Sequence, residues 1–210
     1  LSSTFSFQYL TVILIMRYFI CILFFVIAAV TVHAQQARRY DSTLKLGKAG
    51  FKISCNNKNP EKNNLSIAPV GFENGARDAS FDVKGRVNKA EVDDLNMDGF
   101  PDLIIYVNLP GDKPKLNIIA VSSDKNQGFL PIYFPDILDD PKIKPGYKGG
   151  DEYFLMEGNL VRRFPIYNTQ DTTNVQPTGM FRQVMYRVSM GERGELKFKV
   201  ARSYDYARQQ

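Results

Sequence analysis

The stretch Val184-Met185-Tyr186-Arg187-Val188-Ser189-Met190-Gly191-Glu192-Arg193-Gly194-Glu195-Leu196-Lys197-Phe198-Lys199-Val200 reads as two strands and the turn between them. Apolar side chains recur at Val184, Tyr186, Val188 and Met190, and again at Leu196, Phe198 and Val200. Arg187, Ser189, Lys197 and Lys199 stand between them. A period of two puts alternate residues on opposite faces of a strand, so one face is apolar and the other polar. Gly191-Glu192-Arg193-Gly194 supplies residues that tolerate a tight hairpin turn. Glu157-Gly158-Asn159 joins a second pair of runs in the same manner.

Working outward, short alternating runs broken by turn residues follow one another from 44 to 122 and from 152 to 203. This spacing predicts an all-β domain: a single antiparallel β-sandwich or flattened barrel of roughly eight to ten strands. Two long connections interrupt it. Pro131 to Gly150 is rich in proline, lysine and aspartate, with one helical turn expected at 136–140. Asn168 to Gly179 is polar and ends on Pro177-Thr178-Gly179. Long loops on a rigid sheet are common carriers of binding function.

The N-terminal part reads as a leader. Met16-Arg17-Tyr18 is a short positive start, Phe19 to Val32 an apolar run, and Val32-His33-Ala34 a small-residue cleavage site before Gln35. The apolar run, about 14 residues, is short for a bilayer span of roughly 20. Lengthening it backwards would bury Arg17. Residues 1–15 are expected to be an extension ahead of the true start, 16–34 the signal, 35–43 a flexible lead-in, and 44–205 the β domain. The expected location is the periplasm or the exterior, with no membrane association after cleavage.

Composition narrows the chemistry. The formal charge is +5, from 27 Lys and Arg against 22 Asp and Glu, and the two signs are interspersed. Such mixing predicts a solvated mixed surface and no nucleic-acid partner. Past the leader there is one cysteine, Cys55, so no internal disulfide forms there. It ends the alternation Phe51-Ile53-Cys55 and is expected to be a buried, inert thiol. The single histidine, His33, is lost with the leader, which removes Ser–His, Cys–His and His-ligated metal chemistry. A glycosidase using carboxylates alone, for example at Asp139-Asp140, is weighed and set aside because paired aspartates before Pro141 suit a turn. No enzymatic activity is expected.

Asp94, Asn96 and Asp98 alternate, Gly99 permits a sharp turn, and Asp102 follows. Calcium takes six to eight oxygen ligands, and this spacing wraps side-chain oxygens around one point. Phe100 would add its carbonyl. An EF-hand is excluded because its twelfth position is Ile105. The turn resembles the acidic loop of integrin-type FG-GAP repeats, in one copy. The alternative is a strand connection held by Asx hydrogen bonds with no ion. A calcium-dependent adhesion or carbohydrate-binding module is the function that would follow from an ion there.

Four segments in order carry a wider resemblance. They are Ala90-Glu91-Val92-Asp93-Asp94-Leu95-Asn96-Met97-Asp98-Gly99; Asp139-Asp140-Pro141 with Gly146-Tyr147 and Gly150-Asp151-Glu152; Glu157-Gly158-Asn159-Leu160-Val161-Arg162-Arg163-Phe164-Pro165-Ile166-Tyr167; and Pro177-Thr178-Gly179 with Arg182-Gln183 and Tyr186. Together, from about Lys52 to Val200, the chain resembles the periplasmic inhibitors of i-type (invertebrate-type) lysozyme. The resemblance implies a β-sandwich that plugs a lysozyme cleft with a loop, the partner being a lysozyme or related peptidoglycan hydrolase. In that family the loop carries a Ser-Gly-x-Tyr motif. Here the stretch is Asn108-Leu109-Pro110-Gly111-Asp112-Lys113-Pro114-Lys115, without that serine or tyrosine. The candidate partner-binding residues are therefore Gly111, Asp112, Lys113, Pro114 and Lys115. Two prolines stiffen the loop, and Lys113 and Lys115 offer ammonium groups to a carboxylate pair. Arg162 and Arg163, adjacent on a strand, must point to opposite faces, and Asp151 or Glu152 is the expected partner of the inward one.

Overall fold

The structure, a computed structural model, describes residues 39–73, 75–111, 115–168 and 176–207. The proposed extension and leader lie outside the described residues, as does the lead-in up to residue 38. Twelve strands are described: β1 (Tyr40–Leu46), β2 (Ala49–Cys55), β3 (Asn63–Val70), β4 (Ala79–Val83), β5 (Arg86–Asp93), β6 (Asp102–Leu109), β7 (Lys115–Asp124), β8 (Gly128–Tyr133), β9 (Glu152–Met156), β10 (Asn159–Tyr167), β11 (Pro177–Met190) and β12 (Leu196–Ala207). The first four form one sheet in sequential order. The other eight form a curled sheet ordered β5-β6-β7-β8-β12-β11-β10-β9. The expected all-β, two-sheet architecture is present, with more strands than the eight to ten read from the sequence.

Three departures have physical causes. The flexible lead-in ends early, because Tyr40 to Leu46 pair with Cys55 to Ala49 and so extend the small sheet. Strand β8 falls inside a stretch read as connection. Pro131 lacks an N–H and signals a break, yet the pairing to β12 begins just past it, at Ile132. That pairing, Leu196 with Ile132 and Lys197 with Tyr133, is parallel, so the sheet is not antiparallel throughout. It stitches the two halves of the large sheet together. The helical turn expected at 136–140 is a single 3-10 turn, Ile137–Asp139, whose N-cap Asp136 accepts from the Leu138 amide. The β9–β10 connection is a two-residue turn with Glu157 at φ 50° and Gly158 at φ 70°, both left-handed as a type I′ hairpin requires.

The large sheet has two cores. Its inner face curls around Ile104, Tyr106, Leu160, Phe164, Tyr186 and Phe198. The other face of its β5–β7 half packs on Phe51, Ile53, Leu65 and Ile67 of the small sheet. Strand β6 belongs to both: Ile104 and Tyr106 enter the first core, Leu103, Ile105 and Val107 the second. Cys55 is a buried free thiol in the second core, as expected. Among the described residues, no helix is long and apolar enough to cross a membrane.

Since adjacent β6 residues serve different cores, Ile104→Ala and Ile105→Ala should each lower stability by about 2–5 kcal/mol in urea unfolding. A strand with one solvated face would show the loss at only one of the two.

Candidate functional site

Strands β6 and β7 pair without a slip from Asp102–Ser122 to Leu109–Lys115. The candidate binding loop is therefore the tip of a regular hairpin. Gly111 is exposed at its start, with φ 142°, and Lys115 is the exposed first residue of β7. Asp112, Lys113 and Pro114 lie outside the described residues. Leu109 and Lys115, the two sides of the hairpin base, border a cleft of about 370 Å³ on the inner face of the large sheet. Asn117, Tyr153 and Arg162 also line it. A second hollow of about 400 Å³ lies on the other side of the Asp136–Asp139 turn, over Tyr186 and Val200.

The floor of the first cleft is a closed polar network. Arg162 is buried on β10, and its Nε donates to Asp151 Oδ1 at 2.7 Å. Its Nη2 donates to the Tyr147 hydroxyl at 2.8 Å, and that hydroxyl donates to Asp151 Oδ2 at 2.6 Å. The guanidinium carbon stands 4.9 Å from the Tyr147 ring centroid and 5.4 Å from that of Tyr153. Cation–π attraction and paired hydrogen bonds together keep a charge in a site it would otherwise avoid. Burial raises the phenols of Tyr147 and Tyr153 above their ordinary range, so both stay neutral. Arg163 points the other way and meets Glu152 on β9, with Nε to Oε2 at 2.6 Å. The inward arginine, Arg162, thus finds Asp151, one of the two partners expected for it, and Glu152 pairs with the outward Arg163. The Arg162 network pins residues 147–151 to β10. Tyr147 and Tyr153 carry no periodic signal that would announce this role. Arg182 does similar work, donating to the carbonyls of Ile143 and Pro145 while paired with Asp205.

In the acidic turn, side-chain oxygens accept backbone hydrogens. Asp94 accepts from the amides of Asp98 (3.0 Å) and Gly99 (2.8 Å). Asn96 accepts from Asp98, and its Nδ2 donates to Asp98 Oδ2 and to Ser122 Oγ. Asp98 Oδ1 accepts from the Phe100 amide at 2.9 Å. Asp102 is fully buried at the start of β6 and caps the amides of Leu95 (2.8 Å), Asn96 (3.2 Å) and Ser123 (3.3 Å). Asp94, Asn96 and Asp98 are brought together on the exposed turn. Asp102 serves the amides beneath them. These are the Asx hydrogen bonds of the ion-free strand connection read as the alternative to a calcium loop. Among the described residues no group of three or more His, Cys, Asp and Glu is arranged to hold a metal ion. The Asx-bonded turn accounts for the side-chain oxygens of Asp94, Asn96, Asp98 and Asp102.

Burial lifts the Asp102 carboxyl to about 6, against the pull of the Ser122 hydroxyl and the Leu95 and Asn96 amides. The nearby charge of Asp98 adds to the rise. No protein-family model matches the chain, and no curated protein matches it.

Two measurements follow from these groups. Asp151→Asn leaves Arg162 buried with a weakened partner and should cost about 3–5 kcal/mol in chemical unfolding, more than Glu152→Gln at the half-exposed pair. For Asp102, the folded carboxyl holds its proton to higher pH than the unfolded one. As pH falls from about 7 to about 4, the folded state therefore takes up the proton first. Over that window the stability of the native chain relative to Asp102→Asn should rise, by roughly 2–3 kcal/mol. A flat difference in urea unfolding across the window would remove the assignment.

Proposed function

We propose that this chain is an exported binding protein that blocks the active-site cleft of a peptidoglycan hydrolase, an i-type lysozyme first, with the tip of the β6–β7 hairpin. The observation that carries the reading is the rigidity of that hairpin. Its β6 arm is buried on both faces, and its pairing runs unbroken to Leu109 and Lys115. An ordered base of this kind needs no rearrangement of the sheet on binding, which favours affinity. The two-sheet fold, the order of the quoted segments and the leader support the same reading.

The physical role falls to the ammonium groups of Lys113 and Lys115. Glycoside hydrolysis by a carboxyl pair needs one group protonated and the other ionised. A lysine inserted between them would disturb both and exclude substrate. No chemistry is assigned to the inhibitor itself. A chain with more Lys and Arg than Asp and Glu meets an acidic or neutral hydrolase faster than a cationic one. The second reading, a calcium-dependent adhesion or carbohydrate-binding module, rests on the acidic turn alone, where Asp94, Asn96 and Asp98 come together.

Purified residues 35–210 should inhibit cell-wall lysis by one lysozyme class in a dose-dependent way. The Lys113→Ala/Lys115→Ala double variant should lose at least about tenfold in potency, the scale of one interface hot spot. Unchanged potency in the double variant would sink the lysine mechanism, and no inhibition of any class would sink the reading itself.

A further inference from the structure

Strands β9–β12 show the inner core only one of their faces. Strand pairing arranges the other face in rows. Glu152, Arg163, Gln183 and Tyr204 form one row, and Phe154, Val161, Met185 and Arg202 the next. In the third, Arg187 pairs with Lys199 across the strands and donates from Nε to Asn159 Oδ1 at 2.9 Å. The cross-links agree with this placement: Gln183 Nε2 donates to the Tyr204 hydroxyl, and Arg202 lies 5.2 Å from the Tyr204 ring. Tyr206 follows Tyr204 on the same face, its ring centroid 6.0 Å away.

The charges here are unbalanced. Glu152 is occupied by Arg163. Arg187, Lys199 and Arg202 are exposed, and among the described residues none of them has a carboxylate partner. Like charges directly opposite across a strand pair repel, so Arg187 and Lys199 work against the fold unless an anion lies between them. Guanidinium groups suit carboxylates through paired hydrogen bonds. Beside this cluster stands Tyr204, 39% exposed.

We propose that this face binds an anionic polysaccharide. Carboxylate groups of the glycan meet Arg187, Lys199 and Arg202, and the C–H face of a sugar ring packs on Tyr204. Charge complementarity calls for an acidic occupant, and the ring beside the cations favours a sugar over an acidic polypeptide, which would use the cations alone. The site is separate from the β6–β7 hairpin and does not rest on the hydrolase reading. It would hold the protein on acidic wall or surface glycan, where a peptidoglycan hydrolase acts.

The test is titration of the purified chain, at low and high salt, with polygalacturonate, its fully methyl-esterified form, poly-L-glutamate and oligothymidylate. Polygalacturonate should bind in a salt-sensitive way, and the other three at least about tenfold more weakly. Lys199→Glu should abolish binding and also raise the melting temperature, because it turns a repulsive pair into an attractive one. Its hydrolase inhibition should be unchanged. Tyr204→Leu should weaken polygalacturonate and leave any residual poly-L-glutamate binding as it was. No binding of polygalacturonate would overturn the proposal, as would binding that Lys199→Glu leaves intact. Equal or tighter binding of poly-L-glutamate would assign the face to an acidic protein instead. Tighter binding of oligothymidylate would assign it to single-stranded nucleic acid.

Discussion

Strand β6 has no face to turn toward water. From Asp102 to Val107 every residue is buried, and alternate side chains must be covered by different layers. Leu103, Ile105 and Val107 require a second sheet, which the four N-terminal strands supply. Ile104 and Tyr106 require a cover on the opposite side, and the large sheet provides it by curling its own later strands across. Burying an aliphatic side chain is worth about 1.5–3 kcal/mol, so a strand with two such faces outweighs the local preferences around it. The parallel stitch between β8 and β12 and the pairing of β1 onto β2 both complete layers that β6 makes necessary.

Two charged groups enter this apolar scheme, each held by hydrogen bonds. Asp102 opens β6 and caps three amides of the turn that precedes it and the strand beside it. Arg162 crosses into the first core with Asp151, Tyr147 and Tyr153 arranged around it. In each case the charged group ties a connection down to a strand.

Parts of this were legible in the chain. The Val184–Val200 alternation announced β11, its turn and β12, because a half-solvated strand leaves a period of two. The opposite directions of Arg162 and Arg163 followed from strand geometry, and so did the inward one's need for Asp151 or Glu152. Strand β8 was hidden by Pro131, and β1 by its polar composition, since neither is held by its own pattern. The acidic spacing from Asp94 to Asp102 admitted Asx bonds or an ion, and the Asx bonds are present. The outer cation cluster was invisible for a different reason. Arg187, Lys199 and Arg202 look scattered among acids along the chain, and the β11–β12 register brings them together.

By itself, the sequence determined the all-β class, the hairpins at Glu157–Gly158 and Gly191–Gly194, the buried thiol of Cys55 and the pairing logic of the two arginines. These depend on side-chain period, turn chemistry and charge, which act between near neighbours. Tertiary structure alone decided which sheet each strand joined, the curl that gives β6 two cores, the inward turn of Asp102 and the gathering of unpaired cations on one face. Those depend on which surfaces distant segments cover, and burial is a property of the whole packed chain.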